Sequence, residues 1–319
     1  MITFLGSLDH PVVPEGAVVR AGGTDLQERL RSHNLRPDII DLTGVPGFAG
    51  ITRRSDGVSV GAGTPIAVLA RELLTDYPAL AMTAGSLATP QIRAVGTIGG
   101  NLLQRTRCWY YRHPQMRCLK SGGDSCPART GRHLYGVAFD NSACVHPHPS
   151  SLAMALLTYD ASVTLASGAG LSVAGLLGDG VDPTRDNLLP GGEILSSVEL
   201  PVAWPGERAA YFRAISRFEA EWPLVEAVVR ARVDDAGVLT DCRLGLGGVA
   251  TVPVRPRAAE DMLRGSRLTD ATIERVSTAC ADGANPLPET GYKVALITAT
   301  VREVLGRLAR QSGWGPPAG

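Results

Sequence analysis

Val95-Gly96-Thr97-Ile98-Gly99-Gly100-Asn101 leads from an apolar helix straight into a cysteine-rich segment, without a strand-to-helix transition. Two glycines ahead of an Asn suit backbone amides and one side-chain amide packed against a flat or anionic group; a bulged turn is the plain alternative. Upstream, Ala21-Gly22-Gly23-Thr24-Asp25-Leu26 joins a short strand, residues 17–20, to a helical stretch, residues 26–30. There Gly22 and Gly23 permit close backbone approach and positive φ. The N–H groups of Gly23, Thr24 and Asp25 would open a helix N-terminus, which favours a pyrophosphate. Thr24 adds a hydroxyl, and Asp25 fits the N-cap position. The first loop is not a G-x-G-x-x-G fingerprint, which disfavours a nicotinamide Rossmann reading. Each loop alone reads equally well as an ordinary turn.

Around these loops the pattern alternates strand and helix. Residues 37–42 and 58–61 read as strands. Residues 66–74 form an amphipathic helix with Ile66, Leu69, Leu73 and Leu74 on one face, and residues 79–88 a second helix. Residues 104–150 are polar and aperiodic, and hold four of the six cysteines and four of the six histidines. A loop of that length inside a compact domain is usually functional. Apolar pattern resumes at residues 152–157, with strands at 162–165 and 193–200. Residues 201–208 read as a boundary. Beyond it come three strands (211–218, 224–233, 238–249) and then helices (257–264, 271–281, 291–310). The expected fold is α+β. A two-lobed domain spans residues 1–205, its lobes roughly 1–55 and 56–205 with the 104–150 insertion. An α+β domain of strands then helices follows over residues 206–319.

Composition narrows the function. The 319 residues carry 31 Lys plus Arg against 31 Asp plus Glu, which suggests neither a nucleic-acid nor a membrane-surface partner. The first residues lack a basic stretch followed by an apolar one, so no signal peptide of the chain's own is expected. No run approaches the ~18 apolar residues of a membrane span. The expected location is cytoplasmic, or periplasmic if a partner subunit carries the chain out. No acid–base pair, serine nucleophile or phosphoryl-transfer motif stands out, which fits chemistry supplied by cofactors.

Cys108, Cys118, Cys126 and Cys144 cluster, whereas Cys242 and Cys280 stand alone in patterns that read as core. The clustered spacing lacks the paired C-x2-4-C signature of structural zinc. A four-iron cluster also takes four thiolates and tolerates varied spacing. Arg105, Arg107, Arg112, Arg117, Lys120, Arg129 and Arg132 surround the four, against only Asp124 and Asp140, which tilts towards an anionic cluster. Zinc and free thiols stay open. His113, His133, His146 and His148 read as surface or hydrogen-bonding residues, and Trp109 and Tyr110 as loop packing or a shield for a cluster.

Taken together, Ala21–Leu26 and Gln91-Ile92-Arg93-Ala94-Val95-Gly96-Thr97-Ile98-Gly99-Gly100-Asn101 resemble the FAD-binding medium subunits of molybdenum hydroxylases, the family of xanthine dehydrogenase, carbon monoxide dehydrogenase and aldehyde oxidoreductase. The chain departs from the family pattern at Ala94 and Gly96. The likeness continues through residues 187–195, Gly247-Gly248-Val249-Ala250 and Tyr292-Lys293-Val294, with a first strand that looks shortened. It implies a PCMH-type FAD-binding domain in which Ala21, Gly22, Gly23, Thr24, Asp25, Leu26, Gln91, Ile92, Thr97, Ile98, Gly99, Gly100 and Asn101 hold the cofactor. By the same resemblance Leu189 packs near the isoalloxazine ring, Arg213 replaces a basic flavin contact, and Ser151 stands where the family has an Asp. Leu102-Leu103-Gln104-Arg105-Thr106-Arg107-Cys108-Trp109-Tyr110-Tyr111-Arg112 resembles the subset with an inserted [4Fe-4S] cluster on Cys108, Cys118, Cys126 and Cys144. Bacterial periplasmic aldehyde oxidoreductases match best, and 4-hydroxybenzoyl-CoA reductase more loosely. The resemblance implies an electron-transfer subunit without a complete active site. Its partners in a heterotrimer would be a molybdenum-cofactor large subunit and a [2Fe-2S] small subunit. A stand-alone FAD oxidase with a zinc-stapled loop, and an interaction subunit that has lost its cofactors, are the competing readings.

Overall fold

The computed structural model describes residues 1–311 except His10, Asn34 and Glu219. β1 (Ile2–Phe4), β2 (Val18–Arg20) and β3 (Ile39–Asp41) form a parallel sheet in the order β1-β3-β2, with α1 (Thr24–Ser32) crossing from β2 to β3. Parallel neighbours need such a crossover, which is why the glycine loop becomes a helix start.

The second sheet is antiparallel. It takes β4 (Ile51–Arg54) and β5 (Gly57–Gly61) first. The chain then runs through α2 (Ile66–Glu72), α3 (Pro78–Gly85), α4 (Pro90–Val95), α5 (Ile98–Leu102), α6 (Trp109–Arg112), α7 (Pro127–Thr130) and α8 (Ser151–Thr158). It returns through β6 (Ser162–Leu165), β7 (Gly170–Ser172), α9 (Val173–Leu177) and β8 (Leu195–Pro201), giving the order β4-β5-β8-β6-β7. The β4–β5 hairpin therefore straddles the lobe division expected near residue 55. Helix α2 stops short of Leu74, which is 52% exposed and leaves the apolar face to Ile66, Leu69 and Leu73. Helix α3 ends before Ala88, whose φ of 44° breaks the helix, while the Arg93 guanidinium donates to the Leu87 and Ala88 carbonyls.

The third sheet, order β11-β10-β9, pairs β9 (Arg208–Ala214), β10 (Val225–Val233) and β11 (Leu239–Gly247) antiparallel. Its first strand starts and ends earlier than the expected 211–218. Helices α10 (Arg257–Leu263), α11 (Asp270–Ala279) and α12 (Tyr292–Ala309) complete the chain's second core. Side chains on β10 alternate by the period of two. Val225, Ala227, Val229 and Ala231 enter that second core, whereas Val228 joins the core of the N-terminal lobes. Glu226 and Arg230 share Val228's parity. Helix α8 is apolar all round and buried, as a helix wedged between layers must be. Gly245 lets the sheet approach it: a Cβ there would stand 3.0 Å from the Met154 carbonyl oxygen.

Arg230 is the charge that this alternation buries. Its guanidinium donates to Glu207 Oε2 at 2.6 Å and to the Thr158 carbonyl at 3.2 Å, and is stacked on Tyr159 and Trp204 at 3.8 and 3.7 Å from the ring centroids. Tyr159 Oη donates to Glu207 Oε1 at 2.7 Å and accepts from the Ala79 amide at 3.1 Å. One ion pair thus ties α3, α8, β10 and the 202–207 connection. Removing one partner strands the other charge in a poorly solvated place. Glu207→Ala is expected to lose about 3–5 kcal/mol, read as a lower urea midpoint at unchanged m-value. A loss under 1 kcal/mol would show that the pair does not hold the layers.

Candidate functional site

The two glycine loops touch. A Cβ built on Gly22 would stand 2.0 Å from the Val95 carbonyl oxygen, so only glycine lets the first loop cross the end of α4. Gly23 takes the N-cap of α1 in the left-handed region, φ 69°, with no side-chain cap. Asp25 lies in the first turn of the helix and is not the N-cap. Thr24, Asp25 and Leu26 open the helix, where amides have no intrahelical acceptor, and no other backbone acceptor takes them among the described residues. The second loop behaves differently from its expected role. Its amides are already bonded: Ile98 to the Thr64 carbonyl, Gly99 to Ala62, Gly100 to Thr97 Oγ1 and Asn101 to Thr97, all at 2.9–3.1 Å. What it offers outward is a flat surface at Gly100, where a Cβ would meet only Thr97 Oγ1 at 3.1 Å. The Asn101 carboxamide stands beside it, its Oδ1 accepting from Ser150 Oγ at 2.7 Å and its amide nitrogen left for a ligand.

A cavity opens on each side of this saddle. The first, about 170 Å3, is lined by Ala21, Gly22, Gly23, Leu26, Gly99 and Leu189. The second, about 200 Å3, is lined by Ile92, Asn101, Ser151 and Arg213, with Leu87, Ala88 and Trp222. Thr24, Asp25, Thr97, Gly100 and Gln104 belong to both. Two expected contacts fall outside: Gln91 is exposed on α4, and the Ile98 side chain is in the core. Leu189 is also separated from Ser151 and Arg213, because the loop before β8 returns on the α1 side of the saddle. Arg213 spans the second cavity's walls, its guanidinium donating to the Ser86 and Glu221 carbonyls while Nε has no partner.

Behind Ser151 lies a carboxyl that sequence reasoning missed. Glu226 is buried; burial pushes its pKa up against the hydrogen bonds of Tyr211 and Ser151 and the Arg213 charge. Tyr211 Oη donates to its Oε2 at 2.6 Å. A lone acidic residue at the start of a strand rich in Val and Ala was the available signal. Lys293 is also buried, pushed down to about 7, with Nζ donating to the Gly248 carbonyl at 2.7 Å.

The insertion is clamped to the lobes by buried carboxylates. Arg112 and Arg107 contact Asp25 Oδ1 at 2.7 and 2.8 Å, and the Arg105 amide donates to Oδ2 at 3.1 Å. Asp186 takes Arg105 at 2.7 Å and Lys120 at 3.0 Å. Cys108, Cys118, Cys126 and Cys144, all free thiols, line one small cavity with Tyr110, Lys120 and His146. Tyr110 and Tyr111 are the tyrosines at the thiols; Trp109 is 56% exposed. The space between them, about 10 Å3, holds about one water-sized sphere. Among the described residues no group of three or more His, Cys, Asp or Glu stands ready to hold a metal ion. A four-iron core would therefore require the four side chains to rearrange around a wider space. Burial pushes Cys144 up to about 11 and Cys108 upward, a cost that a coordinating ion removes by deprotonating its ligands. Burial would likewise raise Asp25, but Arg107, Arg112 and the Arg105 amide hold it below 3.8. The clamp's contribution is therefore present above that pH and lost as pH falls through the lowered value. Asp25→Asn at pH 7 is expected to speed amide exchange across residues 104–112 about tenfold, or 1.4 kcal/mol of local opening. Unchanged exchange would show that the insertion is held elsewhere.

Known proteins are similar to this chain over most of its length. Residues 11–203 match the model of the FAD binding domain in molybdopterin dehydrogenase, and residues 210–311 that of the CO dehydrogenase flavoprotein C-terminal domain. The aldehyde oxidoreductase FAD-binding subunit PaoB of Escherichia coli is 30% identical, covering 93% of each chain. A xanthine dehydrogenase FAD-binding subunit of Escherichia coli O157:H7 is 25% identical over 93% of this chain and 90% of its own. In fold, carbon monoxide dehydrogenase from Hydrogenophaga pseudoflava superposes with a TM-score of 0.74 at 21% identity, covering 96% of each chain. Quinoline 2-oxidoreductase from Pseudomonas putida gives 0.72 at 19%, covering 94% of this chain and 91% of that one. Among the described residues no helix is long and apolar enough to cross a membrane. The chain belongs to the FAD-binding subunits of the molybdenum hydroxylase family of oxidoreductases.

Proposed function

We propose that this subunit relays electrons from a molybdenum-cofactor subunit, through a [2Fe-2S] subunit, to its FAD and an external acceptor. In this reading residues 1–205 hold most of the cofactor and residues 206–319 close over it. The observation that carries it is the saddle: free amides on one side, a bare glycine on the other, and a cavity at each end. The Thr24–Leu26 amides at the α1 N-terminus would hold the FAD diphosphate, where the helix dipole favours negative charge. Gly100 lets the chain pass close, and Asn101 donates to it. Leu189 would line one end of the cofactor site, and Ser151 and Arg213 the other. When bound, FAD takes up two electrons and passes them on. Arg213, held between the Ser86 and Glu221 carbonyls, would meet one end of the cofactor, and Glu226 stands buried behind Ser151.

The insertion supplies a second redox site in this reading. Cys108, Cys118, Cys126 and Cys144 would hold a [4Fe-4S] cluster, close to FAD because Gln104 pins the joint, donating to the Asn101 and Pro149 carbonyls at 2.9 and 3.3 Å. The likeness to PaoB supports an aldehyde as substrate of the partner subunit. Zinc on the same four thiols, or a 4-hydroxybenzoyl-CoA reductase-type assembly, is the alternative the same experiment decides. Metal and flavin analysis of the natively co-purified complex is expected to give about four iron atoms per FAD from this subunit, beyond those of the partner. Stoichiometric zinc would remove the cluster, and absence of flavin would remove the relay. Gly100→Val is expected to fold yet lose FAD, because its branched Cβ fills the saddle. Retained FAD would misplace the site.

A further inference from the structure

A third cavity lies between the insertion and the C-terminal sheet. It encloses about 350 Å3 and shares Arg107, Pro149, Glu221, Trp222 and Pro223 with the second cavity of the saddle. Nothing in the FAD reading uses its far wall. Trp109 and Tyr135 stand there edge to face, centroids 5.1 Å apart at 79°. Trp222 lines the side nearer the saddle, backed by the Arg107 guanidinium 4.3 Å over its ring. Lys293 closes the cavity at the α12 end.

The lysine decides what the cavity can hold. Only 1% of it is exposed, and its Nζ spends one hydrogen bond on the Gly248 carbonyl, leaving two donors. No carboxylate among the described residues lies within 4 Å of it. A buried cation without a partner is costly, and the cost falls when an anion enters beside it. Glu226, in the same wall, is engaged by Tyr211, and burial pushes it towards its neutral form, which weakens repulsion of an anion. Aromatic walls favour a flat ring, which stacks or meets their edges.

We propose that this cavity binds a single-ring aromatic carboxylate, its anion on Lys293 and its ring among Trp109, Tyr135 and Trp222. The volume suits so small a ligand. An aldehyde-oxidising partner releases an acid of this class. On the relay reading, the site therefore lets the product meet the subunit one wall away from the flavin.

The test uses the FAD-loaded complex and benzoate as probe. Calorimetry measures binding without reference to flavin, so this inference and the cofactor reading fail separately. Benzoate is expected to bind saturably and at least about tenfold more tightly than benzamide, its neutral isostere, a gap of 1.4 kcal/mol. It is also expected to shift the flavin absorption bands. Lys293→Met is expected to weaken benzoate about tenfold or more while FAD content stays constant. No binding of benzoate, equal binding of benzamide, or undiminished binding by Lys293→Met would overturn the proposal. If the variant does not fold, the benzoate-to-benzamide ratio in the natural protein decides alone.

Discussion

The crossing of Gly22 over Val95 is the contact on which the rest of the site depends. Two lobes with different sheets, one parallel and one antiparallel, meet backbone to backbone there. Any side chain at Gly22 would have to occupy the volume of a carbonyl oxygen. The closeness sets the width of the saddle, brings Thr24 beside Thr97, and aligns the open amides of α1 with the bare face of Gly100. The glycines consequently have separate tasks. Gly22 joins protein to protein, Gly23 supplies the left-handed turn, Gly99 packs on Ala62, and Gly100 is left to face a ligand.

Electrostatics repeats that division. Arg230 and Glu207 neutralise each other between aromatic rings and bind layers together. Asp25 and Asp186 collect the basic residues of the insertion and hold it against the lobes. The positive charge that the sequence places around the four cysteines is thus partly spent on distant carboxylates rather than directed at the thiols. Lys293 is the contrasting case: a buried cation whose nearest partner is a carbonyl.

Local patterning carried much of this fold. The sheet of three strands followed by helices was readable from alternation in residues 224–233 and the helical spacing of residues 291–310. The glycine loops were visible as loops, and their order made a cofactor cradle readable. What local patterning lacked was direction. Nothing in Ile98-Gly99-Gly100-Asn101 says that all four of its amides turn inward to Thr64, Ala62 and Thr97; that depends on β5 and the loop after it. Nor does Leu189 announce its side of the saddle, which is fixed by the long return into β8. Asp25 read as a cap because its position permits one; its actual partners lie about 80 residues on, in Arg105 to Arg112, beyond any local signal.

The anchors of the insertion also couple distant parts of the chain. Asp25 comes from the first lobe and Asp186 from the far end of the second, and the insertion that carries the four cysteines is pinned to both through Arg105, Arg112 and Lys120. A change in the spacing of the two lobes would therefore be felt at the thiols, and a group held by the thiols would in turn brace one lobe against the other.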